Sequence, residues 1–256
     1  MTCPLPTPFW RPRSADAGQG EACPGSVEAT DLLDHGSPAI RALVDDVAAS
    51  NAPGDTAGFV RALHARVAAT VAPVYSVDED CPASRTLRRG RGSCSQRLAV
   101  VEAAARAVGV PTRVRGLLVA GEFWYPRFAR LRRVVPRHVV IAWPELPVEG
   151  RWQALDEIVA GAGRRDEVAR PACVTPFTND SETLFDAVAR TRIGWDGAVP
   201  GCDLCDLSGV VARDLGRFES RDALFREHGQ TLCWPARRLA DPVLGRWSPA
   251  TATPAA

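Results

Sequence analysis

Lysine is absent from this chain of 256 residues, and all 31 of its basic side chains are arginine. Beside abundant Ala, Gly and Pro, that points to the codon bias of a GC-rich bacterial genome rather than to a function. Also missing is any uninterrupted apolar run of the roughly 18 residues that a membrane-spanning helix needs. The proline-bearing stretch from Met1 to Arg13 has no apolar segment of signal-peptide length. The expectation is a cytoplasmic protein with no membrane partner. Charge of one sign is not in excess either. A formal net charge of +1 gives the whole chain no electrostatic reason to bind nucleic acid. The 46% hydrophobic and 24% charged content is that of an ordinary globular protein and excludes wholesale disorder. Cytoplasmic thiols stay reduced, so the eight cysteines are read as catalytic, metal-binding or buried rather than as a disulfide framework.

Punctuation residues divide the chain. Residues 1–30, rich in Pro, Gly and Ala, are expected to be irregular. Ser37-Pro38 has the form of a helix N-cap followed by proline, with Ile40, Leu43, Val44 and Val47 on one face behind it. Asp55 caps a second predicted helix carrying Phe59, Leu63 and Val67, which Pro73 ends. The turn Gly90-Arg91-Gly92-Ser93 leads into a third, burying Leu98, Val101 and Val108 and stopping at Gly109. Strand-like runs follow at Thr112–Val119, His138–Trp143 and Arg151–Leu155. Helices followed by strands predict an α+β core over residues 31–160. Residues 161–247 are read as an accessory, mainly helical C-terminal extension, with helices opening at Ser181 and Ser220 and the latter ending at Gly229. Residues 248–256 are expected to form a flexible tail.

One cysteine has a distinctive address. Cys94 follows the glycine turn at the start of the third helix, where unpaired N–H groups and the dipole favour a thiolate. A thiolate there is a nucleophile, and the same N–H groups can donate to an oxyanion. The alternative is a small buried residue at a helix start. His138 opens one strand and Asp156 closes the next. If the two strands pair through the turn at Glu149-Gly150, His138 and Asp156 share one end of a hairpin. A carboxylate there would fix the imidazole tautomer.

These residues resemble the transglutaminase-like superfamily, whose members carry a Cys-His-Asp triad on a papain-like α+β fold, helices packed on an antiparallel sheet. Leu87–Val114, LRRGRGSCSQRLAVVEAAARAVGVPTRV, is similar to the family's nucleophile motif. His138–Asp156, HVVIAWPELPVEGRWQALD, is similar to its second half, where a catalytic His opens a strand and a Gly-x-Trp turn leads to the Asp. Tyr75 and Leu87 also match the run-in to the nucleophile. The resemblance covers about residues 56–160. It departs in one place: the family's usual Ala-Trp directly after the His is Val139-Val140 here, with Trp143 further along.

The resemblance implies a catalytic triad of Cys94, His138 and Asp156. Cys94 would attack an amide, ester or thioester, and water or an amine would resolve the acyl-enzyme. The partner is then a peptide or small acyl substrate, with no cofactor. Lacking lysine, the enzyme cannot cross-link its own side chains through Gln–Lys bonds. Aromatics and arginines mingle between Phe123 and Arg137. Trp124, Tyr125 and Arg127, with Trp143, are the candidate substrate wall, set against a solvated loop whose aromatics merely pack. Arg85, Arg88, Arg89 and Arg91 stand near Cys94 in sequence and would further favour its thiolate. Cys202-x-x-Cys205, with His228 and Cys233, has the ligand types of a zinc site but loose spacing. Packed thiols and no metal are expected. A second function class remains: a transglutaminase-fold binding or scaffolding protein with an inert triad.

Overall fold

Capping residues and glycines set most element boundaries. The computed structural model describes residues 23–130, 132–160, 177–180, 182–197 and 205–248. Helix α1 spans Pro38–Ala48, with the Ser37 hydroxyl accepting from Ile40 N–H, and α2 spans Thr56–Thr70 with Asp55 as its cap. A short helix that the sequence reading missed, α3 (Ala83–Arg89), follows and ends at Gly90 in the left-handed region, φ 60°. Strands β1 (Ala72–Pro73) and β2 (Arg91–Gly92) pair in parallel beside it. Gly92 is required by space, since a Cβ there would stand 2.6 Å from Thr86 Cγ2.

Helix α4 (Cys94–Ala107) is the centre of the molecule. Ser93 and Gln96 form a reciprocal capping box at its start. Every residue from Gln96 to Arg106 is buried, because helices cover one side and the sheet the other. Leu98 and Val101 are buried as expected, but Val108 is 42% exposed at the C-cap. Three charged side chains inside this helix are each matched. Arg97 pairs with Asp186 and Glu102 with Arg221, while Arg106 donates to Thr112 and to the carbonyls of Glu28 and Glu219.

The main sheet has strand order β5-β4-β3-β6 and is antiparallel throughout. Its strands are β3 (Arg113–Ala120), β4 (His138–Val148), β5 (Arg151–Ala154) and β6 (Val211–Phe218). Glu149 and Gly150, both at positive φ, close the β4–β5 hairpin, a geometry that matches strand twist. Side chains alternate across this sheet. Leu117, Val119, Ile141 and Trp143 pack towards α4, whereas Val114, Leu118, Val140 and Ala142 pack with Leu224 and Phe225 on the other face.

The C-terminal segment is built into this core. It supplies β6, an outer strand of the main sheet, and helix α7 (Arg221–His228), capped by Ser220 and ended at Gly229 as expected. Helix α5 (Leu155–Ala160) follows β5 directly, α6 (Leu184–Ala187) is capped by Thr183, and α8 (Trp234–Leu244) runs late in the chain. Ser181 and Cys202 lie outside the described residues, as do the first 22 residues and the tail from residue 249. Among the described residues, no helix is long and apolar enough to cross a membrane.

Candidate active site

Cys94 is the first residue of α4, as its sequence address implies. Its surroundings are not those of an activated thiol. Helix α6 lies over this end of α4. The Asp186 carboxylate is held by Arg97 at 2.7 and 3.1 Å, and the Arg97 guanidinium stacks on the Phe185 ring at 4.0 Å. Burial pushes the Cys94 thiol up to about 12, outweighing the charge of Arg97 and a hydrogen bond from the Phe185 backbone N–H, with Asp186 and Glu79 pushing it further up. Arg85, Arg89 and Arg91 line a separate cavity from which Cys94 is absent.

His138 is not brought to Cys94. It pairs with Ala120 at the first position of β4, and an unbroken register carries the alternation on to Val140 and Ala142. Its side chain therefore belongs to the sheet face opposite α4. Nor does it reach Asp156. The hairpin register ends with Glu145 against Ala154; Asp156 lies beyond it in α5 and accepts from the indole of Trp143, which stands five positions along β4 from His138. At about 3.4 Å per residue that is roughly 17 Å. The turn lies at 149–150 as expected, but β5 ends at Ala154 while β4 runs back to His138, which sits well beyond the reach of the short β5.

Asp156 has other partners. It is 2% exposed and accepts from the Trp143 indole N–H and the Ile193 backbone N–H, both at 3.1 Å. Burial pushes its carboxyl up to about 6 despite these donors. An imidazolium neighbour would have held it down instead. The sign gives a test. Between the ordinary carboxylate value and about 6, the folded protein keeps a proton that the unfolded chain has released, so stability falls as pH rises through that window. Relative to wild type, Asp156→Asn is expected to gain about 3 kcal/mol of unfolding free energy between pH ~4 and ~7. Chemical denaturation of both proteins across that range checks it; a change in the opposite direction would place a cation beside Asp156.

The expected substrate wall is mostly internal structure. Trp143 is 1% exposed and meets Trp195 edge-on, so it is a core residue and not a substrate contact. Arg127 donates to the carbonyls of Asn179 and Glu182 and to the Tyr75 hydroxyl, clamping the segment that carries α6. Trp124 packs edge-on against the buried Phe123, and Tyr125 lies under the Arg132 guanidinium. In the C-terminal segment the Cys205 sulfur accepts from the Thr191 hydroxyl, His228 meets the Phe218 ring, and Cys233 precedes α8. Among the described residues no three metal-ligating side chains converge.

A different imidazole lies on the α4 side of the sheet. His64 of α2, 2% exposed, stacks on Phe185 with centroids 4.3 Å apart and donates from Nε2 to the Phe185 carbonyl at 2.7 Å. Burial is the main influence lowering its basicity. The Phe185 peptide thus stands between the two groups, its N–H on the Cys94 sulfur and its C=O on His64. The sequence signal for His64 was its helical spacing from Val60 and Val67, which marks a packed face.

Residues 41–157 match the family model described as the transglutaminase-like superfamily. No curated protein and no solved structure matches the chain. With the family's order of His, Ala and Trp, the doublet Ala142-Trp143 sets the register of β4. The residue at the imidazole position is then Ile141, which packs on the α4 side of the sheet. His138 stands three positions earlier, on the other face.

Proposed function

Residues 41–157 form a transglutaminase-like domain, and from that membership we propose that this chain is a non-catalytic member that works by binding rather than by acyl transfer. The observation that carries the reading is the occupant of β4 opposite α4. An aliphatic side chain, Ile141, faces the nucleophile helix, while His138 faces away from it. Without a base beside it, a thiol raised to about 12 stays protonated at neutral pH. The carboxyl group of Asp156 works instead as an internal acceptor that ties β4 to the chain at Ile193. What remains of the family machinery is a scaffold whose outer surfaces are available to a partner.

Acyl trapping tests this. The purified protein, incubated with aryl esters and alkyl thioesters of short acyl groups, is expected to show no added acyl mass on Cys94 by intact-mass and peptide analysis. A stoichiometric acyl-Cys94 adduct that turns over on adding water-soluble amines would replace this reading with the acyl-transfer one.

A further inference from the structure

One recess of the structure lies apart from Cys94. A cavity of about 570 Å³ opens between α3, the β1–β2 ribbon and α8. That volume lies within the range of small-molecule sites. Six guanidinium groups line it, those of Arg85, Arg89, Arg91, Arg237, Arg238 and Arg246, against three carboxylates.

The carboxylates are already engaged. Asp80 takes Arg237 at 2.5 Å together with the Gln230 amide. Asp241 accepts from the Ser76 hydroxyl at 2.6 Å and from Val77 N–H, and Asp78 accepts from Asp80 N–H. On the basic side, Arg85, Arg91, Arg238 and Arg246 have no carboxylate partner among the described residues. Six guanidinium groups against three carboxylates leave the recess net positive. A multiply charged oxyanion balances that charge and takes the planar fork of each guanidinium.

The cavity also has an aromatic surface. Trp234 is 61% exposed, although it lines the recess at the start of α8, and the Arg238 guanidinium lies 5.4 Å from its ring centroid. An indole left uncovered beside a guanidinium is a stacking platform for a flat ring.

We propose that this cavity binds an aromatic phosphate ester of the nucleotide type, its phosphates held by Arg85, Arg91 and Arg246 and its ring stacked on Trp234. The inference deepens the binding-protein reading and rests on it, but the two fail separately: acyl trapping at Cys94 bears on that reading, and ligand titration on this one.

The test is calorimetric titration of the full chain with ADP, inorganic pyrophosphate and adenosine as probes. ADP is expected to bind, pyrophosphate to bind about tenfold more weakly, and adenosine not to bind. The double variant Arg85→Ala/Arg91→Ala is expected to lose about 100-fold in affinity for ADP and pyrophosphate alike. Trp234→Ala is expected to weaken ADP about tenfold and leave pyrophosphate unchanged. Arg88→Ala serves as the control, because Arg88 is on the same helix, bonds to Ser84 and does not line the cavity; it is expected to behave as wild type. Circular dichroism of each variant separates loss of binding from loss of fold. Absence of ADP and pyrophosphate binding in wild type overturns the proposal. So does binding that survives the double variant. Tight binding of an acidic peptide with no response to either phosphate probe overturns it in favour of a protein partner.

Discussion

Glu102→Ala is expected to destabilise the protein by about 3–5 kcal/mol, because it strands an arginine inside the core. Glu102 is fully buried in α4, and Arg221, the first residue of α7, is 1% exposed. Their side chains are paired, and Arg221 also donates to the Ser95 carbonyl at 3.0 Å and hydroxyl at 3.1 Å. Desolvation raises the Glu102 carboxyl, and the adjacent Arg221 charge opposes it. Removing the carboxylate leaves a buried guanidinium without its ion-pair partner, with only the Ser95 oxygens and the more distant charge of Glu79 to offset it. The double change Glu102→Leu/Arg221→Met removes both charges together and is expected to recover most of the loss. Guanidinium denaturation of wild type, Glu102→Ala and the double variant measures this. A loss below about 1 kcal/mol in Glu102→Ala would mean that Arg221 escapes to solvent and that α7 is only loosely docked. The expected result makes α7 and β6 part of the same cooperative unit as α4.

The helical parts of the fold were legible because their signals are local. Ser37-Pro38 and Asp55 each bond within their own first turn, so spacing alone reveals them, whereas the reciprocal Ser93/Gln96 box emerges only in the structure. Helix α3 escaped because it is short, begins after Pro82 with no side-chain cap, and has no apolar stripe of its own. Strand β6 escaped for a different reason. VARDLGRF lacks clean alternation, and its place beside β3 depends on long-range pairing with two register shifts, which no local pattern encodes.

The place of Cys94 at a helix start is legible in the sequence, and the face that His138 takes on β4 is not. The turn and helix around Cys94 were recognisable, but the burial that raises its thiol comes from the tertiary fold, with groups of α6, some 90 residues later, among its neighbours. On β4 the sequence reading follows an identity, the histidine, over a register. Strand side chains alternate, so a displacement of three positions reverses the face. The Ala142-Trp143 doublet carried the register and pointed to Ile141, an aliphatic residue where an imidazole was sought. Asp156 falls in the first turn of α5 rather than closing β5, and its partners, Trp143 and Ile193, come from the tertiary fold.

Thiol chemistry should register this difference most strongly. With its thiol at about 12, Cys94 of the folded protein is expected to alkylate with iodoacetamide at pH ~8 about 10³-fold more slowly than in the urea-unfolded chain, whose thiol has its ordinary acidity. Peptide-resolved mass spectrometry over a time course gives both rates. The sign with pH follows from the same cause. The rate in the folded protein should keep climbing well above pH ~9, where the unfolded chain levels off, because only the thiolate reacts. A triad cysteine behaves in the opposite way, reacting faster when folded and levelling off early. Ile141→His supplies the missing ring on the α4 side of the sheet, and it is expected to raise the neutral-pH rate at Cys94 about tenfold through an imidazolium–thiolate pair. Adding a further imidazole at Val140, on the opposite face beside Leu224, is expected to leave Cys94 as it is in wild type. Rapid alkylation of wild-type Cys94 with an early plateau would mean that a base reaches the sulfur after all, and would return the chain to the acyl-transfer class.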